Sequence, residues 1–431
     1  MSSSPNLPSP LSRPLPRRLQ RIAVLAAVLS VAAATHMIDL TGSAHAQARE
    51  AVRPEVAKPL KAAQDAIRAQ KYKDALARVR EAEAVGGRSP FETYMIDRTR
   101  GSAAMAAGDN ETAGRSFEAA LNSGRMAPGE QGKVEQALIS LYYRAGDYPK
   151  AIVWMQRAIK DGNAGPETRA LLVQSYYLSG DLARAQRELQ IDLASDERAG
   201  RTPTEAQLQL SANLASRAND KAAYVTALER LVAFYPTKAY WGDLVSRVQS
   251  KPGFAERLTL DVSRLKLAIG QMSTPSEYME MSQLALQAGY PAEGRKIVDL
   301  GFKNGVLGTG PEAARHKRLQ DLAVKNVAEN LKAQPKSEAD ANAAKDGNAL
   351  VDLGYERVTL GQADAGIAMI NEGIARGGLK RPDDARLHLG MAYLQAGKKA
   401  DAIKAFQSVK GTDGTADLAR YWIILANRPV S

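Results

Sequence analysis

Apolar residues recur with a helical period over most of this chain. In the stretch Glu130–Asp161 (EQGKVEQALISLYYRAGDYPKAIVWMQRAIKD), Val134, Ala137, Leu138, Leu141 and Tyr142 fall at i, i+3, i+4, i+7 and i+8, one face of an α-helix. Gly146 ends that helix, because glycine accepts a left-handed backbone without a Cβ penalty. Asp147 can cap the next helix, and Pro149 suits its first turn. Ala151, Ile152, Met155, Ala158 and Ile159 then give a second apolar face. The connection is so short that the two helices must run antiparallel, as a helical hairpin.

The unit repeats. Gly180-Asp181 stands 34 residues after Gly146-Asp147, and Gly108-Asp109 stands 38 before it. Leu138 and Tyr142 precede one turn as Leu172 and Tyr176 precede the next, and Ala151 and Met155 follow as Ala185 and Leu189 do. Around the earliest of these turns stand Gly101, Ala113, Phe117 and Ala120. Weaker copies run over Ala69–Ala84, around Asn219 to Tyr235-Pro236, and over Tyr278–Gly301. The clearest copy is Leu389-Gly390-x-x-Tyr393-x-x-x-Gly397-x-x-x-x-Ala402-x-x-x-Phe406, and Gly354 and Gly361 stand 36 residues before its glycines.

This pattern resembles the tetratricopeptide repeat, a helix–turn–helix unit of about 34 residues, over about two thirds of the mature chain. The family's early Trp is missing from the better copies, and Arg386 stands in its place in the last one. The resemblance implies an all-α fold: an α-solenoid of such hairpins wound into a right-handed superhelix. The physics agrees, because one hairpin buries too little apolar area to offset the entropy of ordering it, so copies must stack.

Four segments follow. Residues 1–46 read as a cleavable secretory leader. Arg13, Arg17, Arg18 and Arg21 precede an apolar run of 13 residues, Ile22–Ala34, and Ala44-His45-Ala46 gives a cleavage site before Gln47. That run falls short of the roughly 20 residues a membrane span needs, which favours a cleaved leader over the alternative, a retained anchor. Residues 47–236 read as N-terminal repeats, 237–273 as an atypical helical connector, and 274–431 as C-terminal repeats. In the last segment Thr415–Arg428 forms a capping helix, with Tyr421, Trp422, Ile424 and Leu425 covering the open end. Residues 311–344 read as helix without a clean repeat, and 335–348 (PKSEADANAAKDGN) as a polar loop or mobile segment.

Composition narrows the chemistry. Among 431 residues there is no Cys, which excludes disulfides, thiolate metal sites, a Cys nucleophile and a lipidated N-terminal Cys. The chain carries 58 Lys+Arg against 47 Asp+Glu, net +11. The leader holds four Arg and Asp39, which leaves 54 against 46 and net +8. These charges are interleaved, not gathered into a basic stripe with aromatics, so no nucleic-acid partner is expected. Of the four His, His36 and His45 belong to the leader, while His316 and His388 read as isolated. No H-E-x-x-H, G-x-S-x-G or Walker loop is present. The glycine-rich loop Gly305–Gly310 precedes a helix start but follows no strand, so it reads as a plain flexible loop and not an anion cradle. No catalytic residue, metal or cofactor is expected.

In proteins of the resembled family, the first helices of successive repeats line a concave face that holds a peptide or partner helix. Carried over, that register places Arg98 and Met105, then Gln136, Ser140, Tyr143 and Arg144, then Gln174, Tyr177 and Leu178 on the groove. Tyr143 and Tyr177 are each the second Tyr of a doublet whose first member takes the core position. The resemblance thus implies a periplasmic scaffold or adaptor that binds another envelope protein or peptide. The C-terminal repeats look similar to proteins of TonB-type energy-transducing systems. An accessory role in secretion or in cell-wall or polysaccharide assembly is the second expectation. A helical-repeat enzyme such as a lytic transglycosylase is the third, and it would need a catalytic Glu in a compact domain of its own.

Overall fold

The structure, a computed structural model, describes residues 51–428, so the leader expected at 1–46 lies outside the described residues. Among the described residues there are 20 α-helices, one short 3-10 helix and no strand. They form two compact units that divide between Pro203 and Thr204, inside the stretch 47–236.

The N-terminal unit is four hairpins: α1 (Pro54–Arg68) with α2 (Tyr72–Glu83), α3 (Pro90–Ala107) with α4 (Asn110–Asn122), α5 (Pro128–Arg144) with α6 (Tyr148–Lys160), and α7 (Pro166–Leu178) with α8 (Leu182–Arg198). Its turns follow one rule. Gly146 takes a left-handed φ of 74°, and the Asp147 carboxylate accepts from the Lys150 backbone N–H at 3.2 Å, capping α6. Asp109 and Asp181 cap α4 and α8 in the same way. Second-helix residues Ala151, Met155 and Ala158 are fully buried, as is Leu138 of the first helix. Arg53, just ahead of α1, ties it to α3. Its backbone N–H and its guanidinium Nε donate to Glu92 Oε1 at 2.9 and 3.0 Å. Glu92 also closes a capping box with Ser89. The Arg53 guanidinium and these N–H donors hold the Glu92 carboxyl down at about 2.

The C-terminal unit opens with the hairpin α9 (Glu205–Arg217) and α10 (Lys221–Phe234). Here Asn219 fills the left-handed slot at φ 54°, a conformation asparagine tolerates better than most residues. Then come α11 (Lys238–Gln249), the 3-10 turn Glu256–Leu258, α12 (Thr259–Ala268), and the hairpin α13 (Pro275–Gln287) with α14 (Pro291–Lys303). After α15 (Ala313–Ala343) follow α16 (Asn348–Thr359) with α17 (Ala363–Arg376), α18 (Pro382–Gln395) with α19 (Lys399–Gln407), and α20 (Thr415–Asn427).

Small residues set the helix spacing. A Cβ on Gly390 would stand 2.3 Å from the Phe406 ring, and one on Gly101 2.7 Å from Phe117, the same pairing in both units. Helices α16 and α17 come closer still. A Cβ on Gly354 would meet the Gly366 carbonyl oxygen at 2.7 Å, and one on Gly366 would meet the Gly354 oxygen at 2.3 Å.

Two regions depart from the sequence reading. Residues 335–343 are not a loop but the last turns of α15, which runs through Pro335. The Arg376 guanidinium donates to the carbonyls of Ala341 and Ala344, both at 2.9 Å, and of Asn342 at 3.2 Å. It thereby satisfies the acceptors that a helix C-terminus leaves open. Glu338 pairs with Arg357, and Ala341 is buried. The capping helix α20 does cover α19, with Trp422 stacked parallel to Phe406. It also packs back on α10 and α12. Arg420 reaches Glu229 at 3.1 Å, and the Arg428 guanidinium donates to the Phe234 carbonyl at 3.2 Å. The last helix of this unit therefore closes on its first hairpin.

Candidate functional site

All nine groove residues expected from the sequence lie on first helices of the N-terminal unit: Arg98 and Met105 on α3, Gln136 to Arg144 on α5, and Gln174 to Leu178 on α7. Ser140, Arg144 and Leu178 are exposed, and the other six are half-buried. Arg98 pairs with Glu130 of the next repeat at 2.7 Å. The Gln136 amide donates to the Asn163 carbonyl at 3.1 Å and to Thr168 Oγ1 at 3.2 Å, joining α5 to the start of α7. Tyr143 packs edge-on against Tyr148 of its own hairpin, ring centroids 5.8 Å apart, and burial pushes its phenol up to about 12.

A second candidate site lies in the C-terminal unit. Val351 and Tyr355 flank Gly354 at the offsets at which Gln136 and Ser140 flank Ile139, so the corresponding first-helix face is present here too. It is met by α12. The Arg264 guanidinium lies 4.7 Å over the Tyr355 ring and 5.3 Å over Tyr290. Its Nε and Nη2 donate to the two Glu293 oxygens at 2.8 and 2.6 Å, and its Nη1 to Asp261 at 2.6 Å. His388 stacks on Tyr355 at 4.5 Å and places Nε2 3.1 Å from Asp261 Oδ1 and 3.3 Å from Arg264 Nη1. As neutral imidazole that nitrogen accepts from Arg264; protonated, it donates to Asp261. Burial opposes charge on both Asp261 and Arg264. The contacts of His388 and Arg264 outweigh burial at Asp261 and hold its pKa low. Glu293 and Asp261 do the converse for Arg264 and hold its pKa high.

This network floors an open cleft of about 610 Å³ walled by α12, α13, α16 and α18 and by the segment 379–381. Arg257 on its edge is clamped by Asp384 at 2.7 Å and Asp413 at 2.6 Å. The sequence reading took His388 as isolated; the structure corrects that. Its partners Asp261 and Arg264 sit at i and i+3 of a helix in the connector 237–273, where no repeat marked them. The acid–arginine spacing was the available signal, but nothing local tied it to a residue 124 positions away.

The glycine-rich loop is pinned, not free. Leu307 is buried against Gly301, and the Gly308 N–H donates to Nδ1 of the buried His316 at 3.2 Å. That N–H, the natural donor for an anion cradle, is already used. Among the described residues no group of His, Asp and Glu could hold a metal ion, and no helix is long and apolar enough to cross a membrane.

The profile of the tetratricopeptide repeat matches residues 98–167 and 351–417, which span hairpins of both units. These two stretches are tetratricopeptide repeats. Repeats of this family bind protein partners and in general act as non-enzymatic scaffolds. Among solved structures, a tetratricopeptide repeat protein from Parabacteroides merdae is similar at 11% identity, with 77% of this chain and 98% of that one covered and a TM-score of 0.26. Yeast Tom70 is similar at 12% identity, with coverage of 86% and 95% and a TM-score of 0.24. No curated protein matches the chain.

Proposed function

We propose that this tetratricopeptide-repeat protein is a non-catalytic scaffold whose N-terminal unit holds a polypeptide partner along the first helices α3, α5 and α7. One observation carries the reading. Three consecutive first helices present Tyr, Arg, Gln and Met side chains that are half-buried or exposed, each backed by a second helix that fills the core. Aromatic and Arg side chains in such partly desolvated settings are frequent binding anchors. The leader at 1–46 supports an exported, periplasmic protein with an envelope partner. The likeness of the C-terminal repeats to those of TonB-type systems supports an energy-transducing complex as the setting.

Co-purification from envelope extracts tests the groove. The Tyr143→Ala/Tyr177→Ala double variant loses the partners that the wild-type chain retains. Unchanged recovery of every partner would refute the groove. Cell fractionation tests the compartment, and a chain of full length found in the cytosol would refute export.

A further inference from the structure

The cleft of the C-terminal unit carries an inference independent of the N-terminal groove. Its volume of about 610 Å³ lies in the range of sites that take small molecules or short peptides. Its floor is electrostatically finished, since Arg264, Asp261, Glu293 and His388 satisfy one another. The floor therefore offers a fixed surface and little free charge. Pre-organised ionic floors of this kind are costly compared with apolar packing, and they collect where a fold keeps an open site.

The free charge lies on the walls. Asp352 on α16 and Glu256 on the 3-10 turn face the cleft with no side-chain hydrogen bond, and so do Lys380 and Arg381 in the segment entering α18. Between them the lining is aliphatic, with Leu260, Leu284, Val351 and Leu379. An anion would give the two cations a hydrogen-bonded partner but bring negative charge beside two carboxylates that have none, and a cation would do the reverse. A ligand with one charge of each sign satisfies both pairs, and an apolar body lets it keep the aliphatic lining dry. Partial burial raises the Asp352 carboxyl against the pull of His388 and Arg381.

We propose that this cleft binds a short peptide with free ends and an aliphatic side chain, its ammonium against Asp352 and Glu256 and its carboxylate against Lys380 and Arg381.

Titration calorimetry of the full chain with unblocked di- and tripeptides of Leu and Ala tests it, with the same peptides N-acetylated or C-amidated as controls. Unblocked peptides should bind, and blocking either end should weaken binding about tenfold or more, the loss of one charge-assisted contact. Asp352→Asn and Lys380→Gln/Arg381→Gln should each weaken it about as much. Both change exposed side chains, so the unliganded melting temperature should hold. No heat and no melting shift with any unblocked peptide up to about 10 mM would overturn the proposal. So would blocked peptides binding as well as free ones, or variants binding as the wild type does. Binding of blocked peptides alone would instead mark a site for an internal segment of a partner chain.

Discussion

His388 and Asp261 meet at 3.1 Å across 127 residues of chain. The contact exists because α12 lies against the first-helix face of the C-terminal repeats, and Arg264 beside it is the keystone. Arg264→Ala would take from the buried Asp261 and the half-buried Glu293 the guanidinium they share. Breaking a buried pair from one side costs about 3–5 kcal/mol. The loss should be read in denaturant unfolding of the full chain. Arg78→Ala removes an exposed pair with Glu81, both side chains about half exposed, and should cost less than about 1 kcal/mol. Equal losses for the two variants would mean that the network contributes nothing beyond surface pairing.

Glycine spacing gives a graded prediction. Alanine gains about 1 kcal/mol over glycine inside a helix, so any net loss measures crowding. At Gly366 the new Cβ meets the Gly354 carbonyl oxygen at 2.3 Å and the Val358 backbone nitrogen at 3.0 Å, so the helices must part. At Gly101 it meets only the Phe117 ring, at 2.7 Å, and a side chain can turn. Gly366→Ala should therefore destabilise by more than about 2 kcal/mol, and Gly101→Ala by less, within the usual range of overpacking. The reverse order in thermal unfolding would contradict this.

Glu92 predicts an acid limit for the docking of α1. Its carboxyl is held at about 2, against an ordinary 4.5. A depressed carboxylate stabilises the fold fully above its unfolded value and loses that contribution as pH falls through its folded one. The Arg53–Glu92 tie should thus be intact at pH 5 and fade between pH 4.5 and 2. Side-chain NMR titration of Glu92 would show it, and a midpoint near 4.5 would contradict it. In Glu92→Gln the amide exchange of α1 should be faster at neutral pH and lose this acid dependence.

Trp422→Ala tests closure of the C-terminal unit. Removing a buried Trp side chain costs about 3–5 kcal/mol. Because α20 packs on α10 as well as α19, hydrogen exchange should quicken in both helices. Faster exchange confined to α19 would show that α20 caps the last repeat and nothing more.

The hairpins were legible because their determinants are local. Gly146-Asp147 specifies its own turn and cap, and Gly390 and Phe406 sit at opposed positions of one hairpin. Even Asn219 marked a copy whose glycine is missing. What could not be read depends on distant partners. The polar stretch after Pro335 has the composition of a loop, and the cap that makes it helix is Arg376, 35 residues beyond Ala341. Arg264 and Asp261 carry no repeat signal, and their partner His388 reads as solitary until α12 and α18 are brought together. The residues proposed for the N-terminal groove stand between these cases. The register puts its nine residues on first helices, as in the structure, but it could not foresee that Tyr143 leans on Tyr148.

A chain made from its N-terminus onward meets the closure of α20 onto α10 as a constraint on timing. In an open array each repeat can settle as soon as its neighbour is present. Here Glu229 and Phe234 wait for Arg420 and Arg428, separated from them by 191 and 194 residues. Such remote pairings slow assembly. The C-terminal unit should therefore reach its mature state only after α20 has been made, and removing that helix should disturb the unit's beginning.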